Sequence, residues 1–136
     1  MPELVDKHVR VRRELGLRHR VEVRSHTFTV DEPPEIGGSD TAASPLELLA
    51  AALGSCTAST IELYAERKGW DVGVVEVDVD LAPPRAGGRA RFDVTVRLPA
   101  VVDPERLERL EEIGRKCPVR RTLAGADVVD RVERPG

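Results

Sequence analysis

The chain is poor in aromatic residues and carries no excess of positive charge. Its 136 residues include only four aromatic side chains, Phe28, Tyr64, Trp70 and Phe92, which gives little surface on which nucleic-acid bases could stack. The formal net charge of −3 provides no electrostatic attraction to a phosphate backbone. We therefore expect no nucleic-acid partner.

Signals for membranes and metals are also missing from the sequence. Residues 1–7 have no apolar signal core, and we expect no later stretch to be long and uncharged enough to span a bilayer. His8, His19 and His26 lack a paired spacing such as His-x-x-x-His, and no Cys-x-x-Cys occurs. The sequence therefore predicts a cytoplasmic protein with no membrane partner, no metal and no other cofactor.

What is present is a balanced globular composition. Hydrophobic residues make up 40% and charged residues 33% of the chain, which is typical of a folded, water-soluble domain. A chain of this length can bury one core but is too short for two. We predict a single domain over residues 1–136.

The first third of the chain has the pattern of short strands. Apolar residues alternate with polar neighbours, as half-buried strands require, at Val9, Val11, Val21, Val23, Phe28 and Val30. Turns are predicted at Gly16 and at Arg24-Ser25, and the proline- and glycine-rich residues 31–40 are predicted to form a loop.

A long helix is predicted next. Ser44 and Glu47 form a capping-box pattern at its start, and Gly69 follows its expected end near Lys68. Residues 48–61 contain no charged side chain. We therefore expect most faces of this helix to be buried.

The rest of the chain predicts a hairpin of two strands over residues 75–98, followed by two helices and a last strand. Asp103-Pro104 and Cys117-Pro118 each combine a cap residue with a proline at the first helical position. The second of these helices should end near Leu123, and Val128, Val129 and Val132 suggest a final strand. Antiparallel strand groups separated by helices indicate an α+β fold.

The two cysteines occur in contexts that favour chemistry as a pair. Cys56 lies in the long apolar helix, where a lone cysteine is most often a small buried hydrophobe. Cys117 is the predicted N-cap of a helix, where the helix dipole and nearby cations favour the thiolate. The 61 residues between them can fold back to bring the sulfurs together. The pair therefore indicates a nucleophile and a resolving thiol.

Several segments, taken in order, resemble the OsmC/Ohr family of osmotically inducible and organic hydroperoxide resistance proteins. The matching segments lie between about residues 24 and 123 and are Asp31-Glu32-Pro33, Gly37-Gly38-Ser39-Asp40, Ser44-Pro45-Leu46-Glu47-Leu48-Leu49, Ala52-Leu53-Gly54-Ser55-Cys56-Thr57 and Lys116-Cys117-Pro118-Val119. The resemblance implies an intertwined α+β homodimer, with central helices buried between two sheets and active sites at the subunit interface.

The resemblance also implies a thiol peroxidase without a cofactor. Cys56 matches the cysteine that attacks an organic hydroperoxide, and Cys117 matches the one that resolves the sulfenic acid into a disulfide. A small or lipoyl-type dithiol then reduces that disulfide. The family holds an arginine near the attacking thiol with a glutamate, and our candidate for the arginine is Arg24, with Arg20 second. Either could equally be a solvated strand charge.

The glutamate is where this chain departs from the family pattern. The family places it directly after the proline, but here that position is Leu46 and the acid is Glu47. Glu47 lies nine residues before Cys56, a separation of roughly 900° that puts it on the opposite helix face. We favour a capping role for Glu47 over a catalytic one. The alternative function is therefore an OsmC-like binding or redox-sensing protein with little peroxidase turnover.

Overall fold

The computed structural model describes residues 6–99 and 102–134. Within them the chain forms an α+β structure with two antiparallel sheets, which confirms the predicted class. The chain divides into two compact units after Leu49. The strands and helices are β1 Arg10–Leu15, β2 Arg18–Val23, β3 His26–Val30, α1 Pro45–Lys68, β4 Glu76–Ala82, β5 Arg91–Arg97, α2 Pro104–Gly114 and α3 Pro118–Gly125.

In the first unit, β1, β2 and β3 form an antiparallel sheet in chain order. The predicted strands and both predicted turns are confirmed, and the register places Val21 opposite Val11 on one side and Phe28 on the other. Val21 is buried, but Val11 and Phe28 are 58% and 44% exposed. The expected half-burial therefore does not hold for β1, all of whose residues are exposed.

The loop after β3 is organised around the buried carboxylate of Asp31. Asp31 accepts hydrogen bonds from the Thr41 hydroxyl at 2.6 Å, the Thr41 N–H at 3.1 Å and the Glu32 N–H at 2.8 Å. At Gly38 a Cβ atom would lie 1.9 Å from the Glu32 carbonyl oxygen, so only glycine fits. These contacts fix the chain that leads into α1.

Helix α1 begins and ends where the sequence predicts. The Ser44 N–H donates to the Glu47 carboxylate at 2.9 Å, and the Glu47 N–H donates to the Ser44 hydroxyl at 3.3 Å, which is a complete capping box. At the other end Gly69 adopts φ +70°, and the Trp70 N–H donates to the Ala65 carbonyl at 2.9 Å. This glycine is a left-handed C-terminal cap.

The expected burial of most faces of α1 was wrong for the single chain. The buried residues follow one stripe, namely Leu53, Gly54, Thr57, Thr60, Ile61 and Ala65. Leu46 and Leu49 near the start of the helix and Leu63 near its end are 36–49% exposed. Other elements of the chain cover only this stripe, and a low charge content does not by itself supply partners for the rest of the helix surface.

By length and composition, α1 is also apolar enough to cross a membrane. The prediction that no stretch is long and uncharged enough was therefore wrong by this criterion, because the charged residues of α1 cluster at its two ends. The core helix of a water-soluble protein passes the same test, so one such helix is weak evidence for a membrane.

In the second unit, α1 packs on the hairpin of β4 and β5. The hairpin is confirmed, with Val77 paired to Val96 and Val79 to Val94. A Cβ atom at Gly54 would lie 3.1 Å from a Val79 methyl group. The absence of a side chain at Gly54 therefore permits the close contact between the helix and the strand.

Helix α2 packs on the same part of α1. Asp103 caps it by accepting from the Arg106 N–H at 3.0 Å. Leu110 is fully buried in a core cluster with Ile61, Ala65 and Val72. This cluster holds α2 against α1 and so positions the chain that follows α2.

The C-terminal segment differs from its prediction. Helix α3 ends at Gly125, close to the expected Leu123. No strand forms over Val128, Val129 and Val132, and these side chains are 80–100% exposed. An apolar pattern makes a strand only where a neighbouring strand supplies hydrogen-bond partners, and none pairs with this segment in the described residues.

Candidate active site

The structure brings Cys56 and Cys117 together. Cys56 lies half-buried in the middle of α1, and Cys117 is completely buried directly before α3. Both thiols are free, and the Cys117 thiol lies near enough to act on the pKa of Cys56. The two cysteines singled out by their sequence contexts are therefore neighbours in the fold.

Local backbone contacts explain the position of Cys117. After α2 ends, the Cys117 N–H donates to the Gly114 carbonyl at 3.3 Å, and the Arg121 N–H donates to the Cys117 carbonyl at 3.2 Å. Pro118 occupies the first position of α3, and the Cys117 sulfur accepts from the Arg120 N–H at 3.5 Å. Cys117 is therefore the N-cap, as predicted, with its own sulfur as the capping acceptor.

The start of α3 also lies beside Cys56, which the sequence patterns did not predict. The backbone amide of Val119, the second residue of α3, lies beside Cys56 and lowers the pKa of its thiol. Because Pro118 has no N–H, the first two free amides of the helix each face one of the two sulfurs. The Cys117-Pro118 pattern predicted the helix start, but only the packing of α2 on α1 shows that Cys56 shares it.

The surroundings of Cys56 raise the pKa of its thiol. The largest cause is burial, which disfavours the charged form. The Val119 amide opposes this by lowering the pKa, and the Cys117 thiol raises it further through the hydrogen bond and through like charge. None of these three contributions comes from a cation. Efficient ionisation of Cys56 therefore requires a further positive group.

Two threonine hydroxyls next to Cys56 are occupied by the helix itself. Thr57 donates to the Leu53 carbonyl at 2.8 Å, and Thr60 donates to the Cys56 carbonyl at 2.7 Å. Thr60 also lowers the pKa of the Cys56 thiol, as the smallest of the effects on it.

Glu47 has the capping role that the sequence favoured. Its hydrogen bonds with the backbone and the side chain of Ser44 lower the pKa of the carboxyl group. α1 is continuous from Pro45 to Lys68, so the nine residues between Glu47 and Cys56 still place the two side chains on opposite faces.

The two candidate arginines lie in the sheet of the first unit. Arg24 is exposed at the tip of the β2–β3 hairpin, in the left-handed region at φ +53°. Arg20 is exposed on β2, with its Nε atom 3.4 Å from the Glu22 carboxylate. A catalytic role for either stays a prediction.

The described residues contain no group of three or more histidine, cysteine, aspartate or glutamate side chains arranged to hold a metal ion. The reactive groups that the structure places at this site are the two thiols, beside the amides at the start of α3.

Comparison with known proteins identifies the wider group to which this arrangement is similar. Residues 37–130 match the model of a family described as OsmC-like protein. No curated protein matches the chain significantly.

Solved structures with a similar fold come from several bacteria. A Psychrobacter arcticus protein named for osmotic stress induction and a detoxification response aligns with a TM-score of 0.77 and 19% identity, over 90% of this chain and 91% of that one. An organic hydroperoxide resistance protein of Elizabethkingia anophelis aligns with a TM-score of 0.70 and 22% identity, over 93% of each chain. One from Legionella pneumophila aligns with a TM-score of 0.67 and 21% identity, over 91% and 93%.

Proposed function

The chain belongs to the OsmC family, and on that premise we propose that it is a thiol peroxidase that reduces organic hydroperoxides with Cys56 and Cys117. The observation that carries the proposal is the contact between the two thiols at the start of α3. The names of the Elizabethkingia and Legionella proteins, which refer to organic hydroperoxide resistance, support the substrate class.

In the first step, the Cys56 thiolate attacks the outer oxygen of the hydroperoxide. The O–O bond breaks, an S–O bond forms, and the alkoxide leaves and takes up a proton to become the alcohol. The sulfur is oxidised by two electrons to sulfenic acid. The Val119 amide stabilises the negative charge that Cys56 carries before the attack.

In the second step, the Cys117 sulfur attacks the Cys56 sulfenic acid. An S–S bond forms, and the hydroxyl group leaves as water with the proton of the Cys117 thiol. A dithiol, of small or lipoyl type, then returns two electrons and two protons through a mixed disulfide. The burial of Cys117 favours a reductant that attacks the more accessible Cys56 sulfur first.

Ionisation of Cys56 requires a positive group beyond the α3 amide. We assign this role to Arg24, with Arg20 as the second candidate, from the resemblance to the family. Glu47 is the acid closest in sequence to the family glutamate, but its hydrogen bonds with Ser44 favour the capping role.

We further propose that the working molecule is a cytoplasmic homodimer of single-domain subunits. The support is the apolar surface of α1 that the single chain leaves uncovered, at Leu46, Leu49 and Leu63. A symmetric dimer would bury such surface between its two copies. Sedimentation should find a dimer at micromolar concentration, and a stable folded monomer would contradict this.

The activity test is consumption of cumene hydroperoxide in the presence of a dithiol such as dihydrolipoamide. We expect steady turnover by the wild type and none by Cys56→Ser. Cys117→Ser should react once and then accumulate oxidised Cys56. Lack of turnover by the wild type would refute the peroxidase proposal.

One observation favours a second function, a redox sensor with little turnover. The described contacts raise the pKa of Cys56, and Glu47 is occupied at the cap. A sensor would form the Cys56–Cys117 disulfide once and regain its thiols slowly with any dithiol. The same assay separates the two functions, because a sensor gives one equivalent of alcohol without continued turnover.

A further inference from the structure

We propose that Gly114 is a positioning residue for disulfide closure: because it has no side chain, the end of α2 approaches α1 closely enough to bring Cys117 to Cys56. The inference rests on the proposed disulfide chemistry and adds a residue to it. Neither the motifs around the cysteines nor the resemblance to the family points to this position.

The contact at Gly114 is tight for an added methyl group. A Cβ atom there would lie 3.2 Å from Ile61 Cδ1, 3.5 Å from Ile61 Cγ1 and 3.5 Å from Thr57 Cγ2. Gly114, Ile61 and Thr57 are all buried, so surrounding groups have little space into which to move. An added methyl group would require a shift of a few tenths of an ångström, either of the Ile61 side chain or of the end of α2 away from α1.

Both cysteines are connected directly to this contact. Thr57 follows Cys56 on α1, so the α1 side of the contact adjoins one thiol. On the α2 side, the Gly114 carbonyl accepts the Cys117 N–H at 3.3 Å. A displacement of Gly114 away from α1 therefore moves Cys117 away from Cys56.

The chain offers a matched control for a substitution at Gly114. Gly125 also lies in a helix near the site, at the end of α3, but a Cβ atom there would have nothing within 4 Å. Alanine favours helical backbone relative to glycine at both positions. A loss seen with Gly114→Ala but not with Gly125→Ala therefore reports the close contact.

Disulfide closure should be measured with diamide, which takes up the two electrons and two protons of the thiol pair without needing a peroxidase reaction. We expect closure in Gly114→Ala to be about tenfold slower than in the wild type, because small misplacements of reacting groups have large kinetic costs. Gly125→Ala should close at the wild-type rate. Circular dichroism verifies that each variant is folded.

A second readout separates positioning from a general structural defect. With cumene hydroperoxide, the first oxidation of Cys56 should slow less in Gly114→Ala than disulfide closure does, since Cys117 forms no bond in that step and the Val119 amide is only one of several groups that set the pKa of Cys56. The sulfenic acid should then persist, so that sulfinic acid forms at lower peroxide concentrations than in the wild type.

A compensating substitution provides the sharpest test. Ile61→Val removes the Cδ1 atom that lies nearest the added methyl group. The double variant Gly114→Ala with Ile61→Val should therefore recover most of the closure rate, whereas Ile61→Val alone should change it little.

The outcomes are distinct from those of the peroxidase proposal. If the wild type closes with diamide but does not react with cumene hydroperoxide, the peroxidase proposal fails and the diamide comparison still decides the role of Gly114. Wild-type closure in Gly114→Ala, or a double variant as slow as the single one, would overturn the inference. If Gly114→Ala does not fold, the folded double variant decides the question. Closure of the double variant at the wild-type rate supports the role of Gly114, and slow closure overturns it.

Discussion

Oxidation of the two thiols should stabilise the protein by an amount that follows from its topology. The bond would close a loop of the 61 residues that separate Cys56 from Cys117. In the chain-entropy treatment, a loop of that length removes about 4 kcal/mol of unfolded-state conformational entropy at 25 °C. The Cys117 thiol lies next to the Cys56 thiol, and closing the bond between them without strain in the native structure would deliver this whole gain.

The same free energy affects the chemistry of the disulfide. A bond favoured by about 4 kcal/mol in the folded chain has a reduction potential roughly 90 mV lower than in the unfolded chain. The folded disulfide should therefore resist monothiols and require a dithiol. This agrees with the reductant class that we propose.

Urea unfolding of the reduced and the diamide-oxidised protein measures the effect. With a slope of about 2 kcal/mol per molar for a domain of this size, the midpoint should rise by about 2 M on oxidation. Protein concentration must be equal in the two series, because subunit association would also stabilise the fold. Diamide-treated Cys117→Ser is the control and should show no rise. An unchanged or lower midpoint for the oxidised wild type would refute the reasoning, since it would mean that closing the bond strains the native structure.

Three further predictions concern the core, the ionisation of Cys56 and the response to acid. Leu110→Ala should lower the free energy of unfolding by about 3 kcal/mol, because Leu110 is fully buried. Leu107 lies one turn earlier and is 47% exposed, so Leu107→Ala should lower it by less than about 1 kcal/mol. Equal losses in urea unfolding would contradict the assigned core. In a Cys117→Ser background, Arg24→Met should slow alkylation of Cys56 at neutral pH, and Glu47→Gln should not. If Arg20→Met slows alkylation and Arg24→Met does not, the role belongs to Arg20. A large effect of Glu47→Gln would mean that this acid helps to ionise the Cys56 thiol. Hydrogen bonds from Thr41, and smaller effects of the Glu32 and Ser39 backbone, lower the pKa of Asp31 to about 2. The contribution of Asp31 to stability should therefore be complete above its ordinary pKa near 4 and lost as the pH falls towards 2. Asp31→Asn should remove this part of the pH dependence, and an unchanged acid profile would show that Asp31 does not cause it.

Local sequence signals predicted the elements because each signal acts within a few residues. Ser44 with Glu47, Asp103 with Pro104, and Cys117 with Pro118 mark three helix starts, and hydrogen bonds at all three confirm the caps. The alternation of apolar and polar residues predicted the five strands that the described residues form, because this pattern too is set within a few residues.

The failures all depend on what lies next to an element. Val128 and Val132 alternate as a strand would, but the pattern does not say whether a neighbouring strand exists. The apolar surface of α1 predicted burial without saying which faces a single chain can cover. The contact of the Val119 amide with Cys56 and the close approach at Gly114 arise from packing between helices distant in sequence. A lone glycine near a helix end gives no sign of such a contact.

The central claim is that Cys56 and Cys117 work as one redox pair, and intact-protein mass spectrometry tests it most directly. The reduced protein is treated with one equivalent of cumene hydroperoxide, and the product is digested without a reductant. We expect the loss of two hydrogens and a linked peptide pair containing Cys56 and Cys117. Accumulation of oxygen on Cys56 without a linked pair, or no change in mass, would contradict it.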